Sequence, residues 1–402
     1  MQFEYGVTRA PQRLVFGAGQ RRALGRLAAD IGQRALLCTD ARIGTLPLLQ
    51  EVVADLEAHG IEVKVFAETE PELPLDGITN CAQRYRDFNP DMVIGLGGGS
   101  CLDLAKLVSL ILTHPGSLSD YYGEFKVPGP VCPVIAVPTT AGTGSEGTPV
   151  AVLADPHRVM KVGISSPYLI PHTSICDPEL TLTCPKGLTA ISGADALAHA
   201  IEAFAAVRRE PTSDLASSRV FVGKNSLSDF YALEAIKLIF AHLQTAVDNG
   251  DDIEARSAVM LGSTFAGLAF GSAGTAAAHA IQYPIGAETH TAHGLGVGIL
   301  LPYTMRFNTT VAAADYAKIA RAIGAATESQ TDEHAAGLCI DALFALFARV
   351  GMPATINEIG VTDSKLDQIA ELSMNAARLI ENNPRPLNSN AIRSILVDAM
   401  AS

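Results

Sequence analysis

The sequence predicts two domains: an α/β N-terminal domain, with a mostly parallel sheet and flanking helices, and an all-α C-terminal domain. Its 402 residues exceed the length at which one hydrophobic core usually keeps growing. In the first half, short β-branched runs alternate with amphipathic helical segments, which is typical of a parallel sheet covered by helices. From Leu188 onward the chain consists of long helical windows. The Cys-Pro-Lys-Gly punctuation at 184–187 marks the predicted boundary between domains 1–184 and 185–402.

The individual elements follow from the period of the apolar residues. The predicted strands cover residues 34–39, 62–66, 92–96 and 133–137, and helices are predicted over residues 48–59 and 76–87. In the second half, apolar residues at three-and-four spacing predict helices over residues 232–249, 253–270, 316–325, 335–350 and 363–380.

Composition excludes several classes of protein. An apolar fraction of 48% with 18% charged residues is typical of a well-buried globular chain and excludes disorder. The 29 basic and 42 acidic residues give a net charge of −13, and no basic cluster is present. We therefore expect neither nucleic acid nor a membrane surface as a partner.

The seven cysteines and the apolar segments bear on location. The cysteines are odd in number and contain no C-x-x-C pair, which indicates reduced thiols rather than a disulfide or zinc framework. No apolar stretch near the start resembles a signal peptide, so we expect a cytoplasmic protein. Residues 257–287 contain no Asp, Glu, Lys or Arg, and their glycines and alanines favour a buried helix over a membrane span.

The first motif is a glycine loop between a strand and a helix. Residues 97–100 (Gly-Gly-Gly-Ser) follow the strand predicted over residues 92–96, and a helix is expected to begin near Leu102. Backbone N–H groups of such a loop and the helix N-terminus can bind a pyrophosphate. The alternative is a tight turn without a ligand. The usual G-x-G-x-x-G fingerprint is absent after the first strand, so an ordinary Rossmann assignment fails.

Two further features favour a dinucleotide. Residues 138–146 (PTTAGTGSE) follow the next strand and offer hydroxyl donors and glycines, although a plain polar loop is the alternative. Asp40 ends the first predicted strand, where a carboxylate can bind both ribose hydroxyls and repel a 2′-phosphate. This favours NAD over NADP, and a helix N-cap is the alternative role for Asp40.

The second half contains a candidate metal site. Asp195 and His199 are four residues apart, which places a carboxylate and an imidazole on one helix face. His279 lies in the uncharged segment, and His293 follows fourteen residues later. One carboxylate with three imidazoles suits Fe²⁺ or Zn²⁺ and leaves coordination positions open for an alcohol oxygen. Each histidine taken alone could instead be an ordinary core residue.

Together these motifs resemble the iron-dependent (group III) alcohol dehydrogenases over almost the whole chain. The resemblance is carried by FGAG at residues 16–19, GGGS at 97–100 with Asp103 and Lys106 following, PTTAGTGSE at 138–146, GADALAHAIEAF at 193–204, and the segment 279–293. It implies an N-terminal dinucleotide-binding domain and an all-helical, metal-binding C-terminal domain that commonly dimerises.

The resemblance also implies roles for individual residues. The implied metal ligands are Asp195, His199, His279 and His293. The implied cofactor-binding residues are Asp40, Gly98, Gly99, Ser100, Asp103, Thr139, Thr140, Thr143 and Lys161.

The chain departs from the commoner family pattern at two places. Most members carry H-x-x-x-H where this chain has His279 and Tyr283. An additional segment, residues 206–224, follows the Glu-Ala-Phe of the helical motif. Both features resemble the hydroxyacid–oxoacid transhydrogenase branch, whose insertion before the last metal histidine is longer. We predict catalytic roles for Tyr283 and His279.

The predicted function is a metal- and NAD-dependent oxidoreductase that interconverts an alcohol and its aldehyde or ketone. Hydride passes directly between substrate and nicotinamide, and the substrate oxygen is bound to Fe²⁺, with Zn²⁺ as the alternative. Other hypotheses on this scaffold are a hydroxyacid–oxoacid transhydrogenase, a maleylacetate-type reductase, and a nucleotide-binding module without turnover. The expected partners are a small alcohol or carbonyl compound and a second copy of the chain in a homodimer.

Overall fold

The computed structural model describes residues 5–158 and 160–400, which form two compact units. The α/β unit contains Arg9–Thr183 and Ser217–Val220. The helical unit contains residues 5–8, Cys184–Ala216 and 221–400. The α/β and all-helical fold classes predicted from the sequence are confirmed.

A six-stranded, fully parallel sheet forms the centre of the α/β unit, with strand order β1-β9-β6-β4-β2-β3. Its strands are β1 (Arg13–Phe16), β2 (Arg34–Asp40), β3 (Glu62–Thr69), β4 (Met92–Gly97), β6 (Val134–Pro138) and β9 (Thr173–Cys176). Because β3 and β4 lie on opposite sides of β2, the winding direction reverses between β2 and β4. Ligands of such sheets bind at this switch point, outside the carboxyl ends of the strands.

Helices cover both faces of this sheet. They are α1 (Leu24–Ala29), α2 (Ala41–Gly44), α3 (Pro47–Ala58), α4 (Leu75–Tyr85) and α5 (Gly99–Thr113). Alternate residues of β2 face opposite ways, so Leu36 and Cys38 join the core under α4 and α5. Ala35 and Leu37 join the core under α1 and α3. The continuous apolar run of β2 is therefore explained by burial on both faces.

A small second sheet packs against α5. It contains β5 (Gly123–Glu124), β7 (Val150–Leu153) and β8 (Val162–Ser165), in the order β5-β8-β7. Strands β7 and β8 are antiparallel, while β5 and β8 are parallel. Ala151, Leu153 and Ile164 bury their side chains in the core that also contains the α5 residues Leu104 and Val108.

The four strands and two helices predicted for the first half are present, with ends shifted by up to three residues. Helix α5 begins at Gly99 rather than near Leu102, because the last two glycines of the loop already have helical or capping conformations. Strands β1 and β9 were not predicted. Each has only four residues, which is too short for a periodic pattern to be recognised.

The second half is helical from Lys186 onward. Its helices are α6 (Lys186–Ala205), α7 (Leu215–Ser218), α8 (Ser226–Asp248), α9 (Ile253–Ala273), α10 (Ala277–Thr289), α11 (His293–Ala322), α12 (Asp332–Arg349), α13 (Leu366–Ser373), α14 (Ala377–Asn382) and α15 (Ser389–Met400). The helix predicted over residues 363–380 is wrong as a single element. The segment begins with a 3₁₀ turn at Asp363–Lys365, followed by α13 and then by α14. No glycine or proline lies in the break between α13 and α14.

The uncharged segment 257–287 is also not one helix. It is divided between α9 and α10, which meet at an angle of 101°. The break contains Gly274, whose φ of +83° is a left-handed conformation that favours glycine.

Within residues 5–158 and 160–400, no single helix is long and apolar enough to cross a bilayer. Only the bent pair of α9 and α10 together has the length and apolar composition for this.

Candidate functional site

The helical unit brings the four predicted metal ligands together. The Asp195 Oδ1 atom lies 4.0 Å from His199 Nε2, 3.7 Å from His279 Nε2 and 4.0 Å from His293 Nε2. The side chains of Asp195, His199 and His279 are buried, whereas that of His293 is 28% exposed. One carboxylate oxygen thus faces three imidazole nitrogens in a largely buried cluster.

Three helices position these side chains. Asp195 and His199 are one turn apart on α6, while His279 is the third residue of α10 and His293 is the first residue of α11. The start of α11 approaches α6 closely through Gly294. A Cβ atom at Gly294 would lie 2.8 Å from the Ile191 carbonyl oxygen and 2.9 Å from Asp195 Cβ. Glycine at this position therefore allows His293 to reach the cluster.

Ring stacking fixes the orientation of two of the imidazoles. The His199 ring lies between the rings of Phe270 and His279, with centroid distances of 4.2 Å and 4.6 Å. The interplanar angles are 17° and 28°, so the three rings form a near-parallel stack. Rotation of the His199 ring would break this packing.

Glu202 belongs to this cluster and was not predicted. Its Oε2 atom lies 2.6 Å from His279 Nδ1, and its side chain is buried. Glu202 lies seven residues after Asp195 and three after His199, so its position on the same face of α6 was readable from the spacing. A carboxylate that orients a ligand histidine is a common feature of metal sites.

The arrangement fits a divalent cation. Ligand atoms that each lie about 2.0–2.2 Å from one tetrahedral or octahedral ion are roughly 3–4 Å apart. The separations of 3.7–4.0 Å around Asp195 Oδ1 agree with this spacing. His279 Nε2 is buried and makes no hydrogen bond with the described residues. A nitrogen lone pair in this position is suited to a metal.

Tyr283 lies one turn after His279 on α10. Its ring stacks on the His293 ring with a centroid distance of 5.9 Å and an interplanar angle of 22°. The side chain is half-buried, and burial raises the pKa of the Tyr283 phenol. The structure therefore places Tyr283 beside the cluster, in contact with one of its imidazoles.

The predicted cofactor residues of the two loops meet at the switch point of the large sheet. Gly97 is the last residue of β4, two residues before α5 begins. Its carbonyl oxygen accepts a hydrogen bond from the Thr139 amide over 2.9 Å. A Cβ at Gly99 would lie 2.7 Å from Thr143 Cγ2, and one at Gly98 would lie 3.6 Å from Thr140. The loops after β4 and β6 thus pack directly on each other.

The start of α5 offers backbone donors. Gly98 is the N-cap residue, with φ −74° and ψ −175°, and no described side chain caps this helix. Ser100 occupies the second position of α5. The first amides of a 15-residue helix without a side-chain cap form a suitable binding place for an anion.

Asp40 ends β2, the neighbouring strand on the other side of β4. Its Oδ1 atom accepts a hydrogen bond from the Ile43 amide over 2.8 Å, so Asp40 is the N-cap of α2. Its Oδ2 atom lies 3.9 Å from Cys101 Sγ, at the start of α5. One carboxylate oxygen therefore has the capping role, and the other lies near the glycine loop.

Asp103 and Lys106 lie behind the second loop. Asp103 accepts hydrogen bonds from Ser145 Oγ over 2.6 Å and from the Val152 amide over 2.9 Å. The buried Lys106 ammonium donates to the carbonyl oxygens of Thr148 and Val150 over 3.0 and 2.9 Å. Burial raises the pKa of Asp103 and lowers that of Lys106 to about 8. Asp103 therefore supports the loop, and its predicted contact with the cofactor stays a prediction.

Lys161, the remaining predicted cofactor residue, begins the chain segment that leads into β8. Its ammonium forms an ion pair with Glu72, a residue with a φ of +64°. Lys161 also contributes to the electrostatic environment of Asp103, since its charge favours the ionised carboxylate. The Lys161 side chain is thus held by an acidic partner within the α/β unit.

The fold and the cluster define a class of protein. A doubly wound sheet with a glycine loop before α5, followed by a helical unit with an Asp-His₃ cluster, is the arrangement expected of a metal-dependent dehydrogenase. The sequence profile described as iron-containing alcohol dehydrogenase matches residues 11–178. The profile of the C-terminal part of the Fe-containing alcohol dehydrogenase family matches residues 189–400. The chain belongs to the iron-containing alcohol dehydrogenase family.

Individual relatives agree with this membership. The chain is 36% identical to long-chain-alcohol dehydrogenase 1 of Geobacillus thermodenitrificans, over 94% of this chain and 93% of the relative. It is 30% identical to the mitochondrial hydroxyacid-oxoacid transhydrogenase of Bos taurus, over 99% of this chain and 90% of the relative. The solved structure of an alcohol dehydrogenase from Oenococcus oeni is similar with a TM-score of 0.91 and 30% identity, covering 98% of this chain and 100% of that one.

We expect Gly294→Ala to weaken binding of a divalent metal at the cluster by about 10- to 100-fold, the range for disturbing a group that orients a ligand. The added methyl group would separate the start of α11, and with it His293, from α6. Titration of the metal-free protein with Zn²⁺ measures the effect.

Gly337→Ala is the matched control, because it lies within α12 and has nothing within 4 Å of an added Cβ. It should retain the metal affinity and stabilise the protein by up to about 1 kcal/mol. Equal affinities of both variants would contradict the role given to Gly294.

Proposed function

We propose that this family member uses NAD and a divalent metal, Fe²⁺ or alternatively Zn²⁺, to interconvert a small alcohol and its aldehyde or ketone. Direct hydride transfer between substrate and nicotinamide is the proposed reaction. The observation that carries the proposal is the approach of three imidazole Nε2 atoms to within 4.0 Å of Asp195 Oδ1. Among relatives, NAD-dependent methanol dehydrogenase of Bacillus methanolicus, 32% identical, supports the choice of cofactor.

In this proposal the metal would be held by Asp195, His199, His279 and His293. A bound divalent metal supplies Lewis-acid chemistry that polarises an alcohol or carbonyl oxygen, and bound NAD supplies the hydride acceptor. The chain supplies one negative charge and three neutral donors. With these four ligands a divalent metal would keep a net positive charge at the site. One carboxylate and three imidazoles also match the borderline character of Fe²⁺ and Zn²⁺.

The α/β unit is proposed to bind NAD through its loops. The first amides of α5, after Gly98, would donate to the pyrophosphate, and the threonine hydroxyls of the second loop would donate to phosphate or ribose. Asp40 would accept from the adenosine ribose hydroxyls with the oxygen that does not cap α2. Asp103 and Lys106 hold the second loop in place through their hydrogen bonds.

The similarity to the bovine transhydrogenase and the tyrosine at position 283 favour a hydroxyacid–oxoacid transhydrogenase as a second candidate. A chain that retains NADH through gel filtration and requires an oxoacid as hydride acceptor would be such an enzyme. The homodimer and the cytoplasmic location predicted from the sequence stay predictions.

The proposed metal centre is tested with His279→Ala. We expect this variant to lose stoichiometric metal and most NAD-linked alcohol oxidation, while its circular dichroism spectrum is unchanged, since a ligand on a formed helix is not needed for that helix. The measurements are elemental analysis of anaerobically purified protein and a screen of alcohols and hydroxyacids with NAD.

His334→Ala is the control for this test. His334 is the third residue of α12, as His279 is of α10, but its side chain is exposed. It should retain metal and activity. Full metal content in His279→Ala would count decisively against the centre.

Asp40→Asn separates the capping role of Asp40 from its proposed role in cofactor choice. Asparagine also caps helices, so stability should change by only a few tenths of a kcal/mol. Loss of the charge should narrow the preference for NAD over NADP by about 1.5–3 kcal/mol, or roughly 10- to 150-fold in the ratio of kcat/KM.

Asp40→Ala should narrow that preference similarly and also destabilise the protein by about 0.5–2 kcal/mol through loss of the cap. A wild-type enzyme that already prefers NADP would refute the proposed role of Asp40.

Tyr283→Phe tests the proposed catalytic role of the phenol. Beside His293, the hydroxyl can donate a hydrogen bond to the substrate or transfer a proton. Its removal should lower kcat/KM by roughly tenfold to a thousandfold while metal content and NAD binding are retained. Steady-state kinetics with neutral alcohols and with hydroxyacids provide the measurement. Unchanged values for both substrate classes would leave Tyr283 only a packing role against His293.

A further inference from the structure

Glu202 is a buried acid that has no role in the predicted ligand set. Its side chain is 6% exposed, and its Oε2 atom lies 2.6 Å from His279 Nδ1. The same Oε2 atom accepts from the Ala276 amide over 2.8 Å, and Oε1 accepts from the Ala278 amide over 2.6 Å. Both carboxylate oxygens are therefore fully engaged by the start of α10.

These contacts determine where the proton of the His279 ring lies. An ionised carboxylate only accepts hydrogen bonds, so each of its three partners must donate. His279 Nδ1 therefore carries the hydrogen, and Nε2 has the lone pair in the neutral ring. That lone pair lies on the side of the ring that faces Asp195 Oδ1, 3.7 Å away.

The same carboxylate also holds the backbone that carries the ring. Helix α10 begins after the 101° bend from α9, and its N-cap residue Ala276 has no side chain that could cap it. The first amides of a helix need acceptors when they are buried. Glu202, on α6, accepts from two of these amides, those of Ala276 and Ala278. One carboxylate on the helix that carries Asp195 and His199 therefore positions both the start of α10 and the His279 ring.

We propose that Glu202 is a positioning residue that presents His279 to the metal through Nε2 and ties α10 to α6. The inference rests on the metal centre of the proposed function. Glu202 is not itself a metal ligand in this proposal, because its oxygens contact Nδ1 and two amides, on the opposite side of the ring from Asp195.

Glu202→Gln is the variant that tests this role. The amide has the same shape, but only its oxygen can accept, so three donors would compete for one acceptor. If the amide nitrogen faces the ring, it donates to Nδ1 and moves the ring hydrogen to Nε2, which then cannot bind a metal. We expect the variant to bind Zn²⁺ about 10- to 100-fold more weakly.

The dissociation constant is measured on the full metal-free chain by competition with a chelator, with Zn²⁺ as the probe. Glu202→Asp keeps an acceptor-only carboxylate and should recover part of the affinity. Asp252→Asn is the control, since Asp252 caps α9 through the Ala255 amide and contacts no histidine in the described hydrogen bonds. It should bind Zn²⁺ as tightly as the wild type.

A second readout follows the tautomer directly. In ¹⁵N NMR of the metal-free wild type, the His279 signal, assigned by its loss in His279→Ala, should show a protonated Nδ1 and an unprotonated Nε2. In Glu202→Gln the two nitrogens should exchange roles. If Glu202→Gln does not fold, the tautomer of His279 in the wild type still tests the positioning role of Glu202.

The outcomes separate the two proposals. A wild type that binds no Zn²⁺ refutes the metal centre, and the tautomer in the wild type still tests Glu202. A wild type that binds Zn²⁺ stoichiometrically, with equal affinity in Glu202→Gln, overturns the positioning role. A wild-type His279 with its hydrogen on Nε2 overturns it as well.

Discussion

The helical unit depends on one buried carboxylate oxygen, Asp195 Oδ1, that faces three imidazole nitrogens at 3.7–4.0 Å. Removing a carboxylate from water costs several kcal/mol unless hydrogen bonds or a cation compensate for the lost hydration. A second buried acid, Glu202, lies on the same face of α6. Two features of the neighbouring helices bring imidazole nitrogens close to these two carboxylates. The bend before α10 turns His279 inward, and Gly294 lets α11 approach α6.

In the α/β unit the proposed ligand is an anion rather than a cation. Its loops at the switch point present backbone amides and hydroxyl groups, which attract an anion without a fixed positive charge at the contact. The charged residues of this region, Asp103 and Lys106, are buried behind the second loop and bond to its backbone and hydroxyl groups. Their hydrogen bonds stabilise the conformation of the second loop, so charged groups fix the shape of the proposed anion site while the groups that would contact the anion are neutral.

The sequence predicted the fold class from the periods of its apolar residues, and it placed Asp195 and His199 on one helix face by their spacing. The addition of His279 and His293 to this pair rested on the chemistry of the donor set and on the resemblance to the family. The sequence could not predict the support behind the ligands. The spacing places Glu202 on the same face of α6 as Asp195, but its contacts with the start of α10, more than seventy residues away, depend on tertiary packing. The contact of Asp103 with Val152 likewise depends on how β7 returns to α5. Short strands such as β1 left no periodic pattern to recognise.

Glu202 and Tyr283 contact different parts of the cluster, so substitutions at the two positions should have different consequences. Glu202 contacts the Nδ1 side of His279 and the start of α10, so a change there would disturb the metal ligand itself. Tyr283 is one turn further along α10 and contacts only the ring of His293 among the four ligands, in the described ring contacts. A side chain there can therefore change in chemistry, as it does here from the commoner histidine, while the hydrogen bonds that orient His279 remain intact. A substitution at Glu202 would therefore disturb the orientation of His279, whereas one at position 283 would change the surface beside His293.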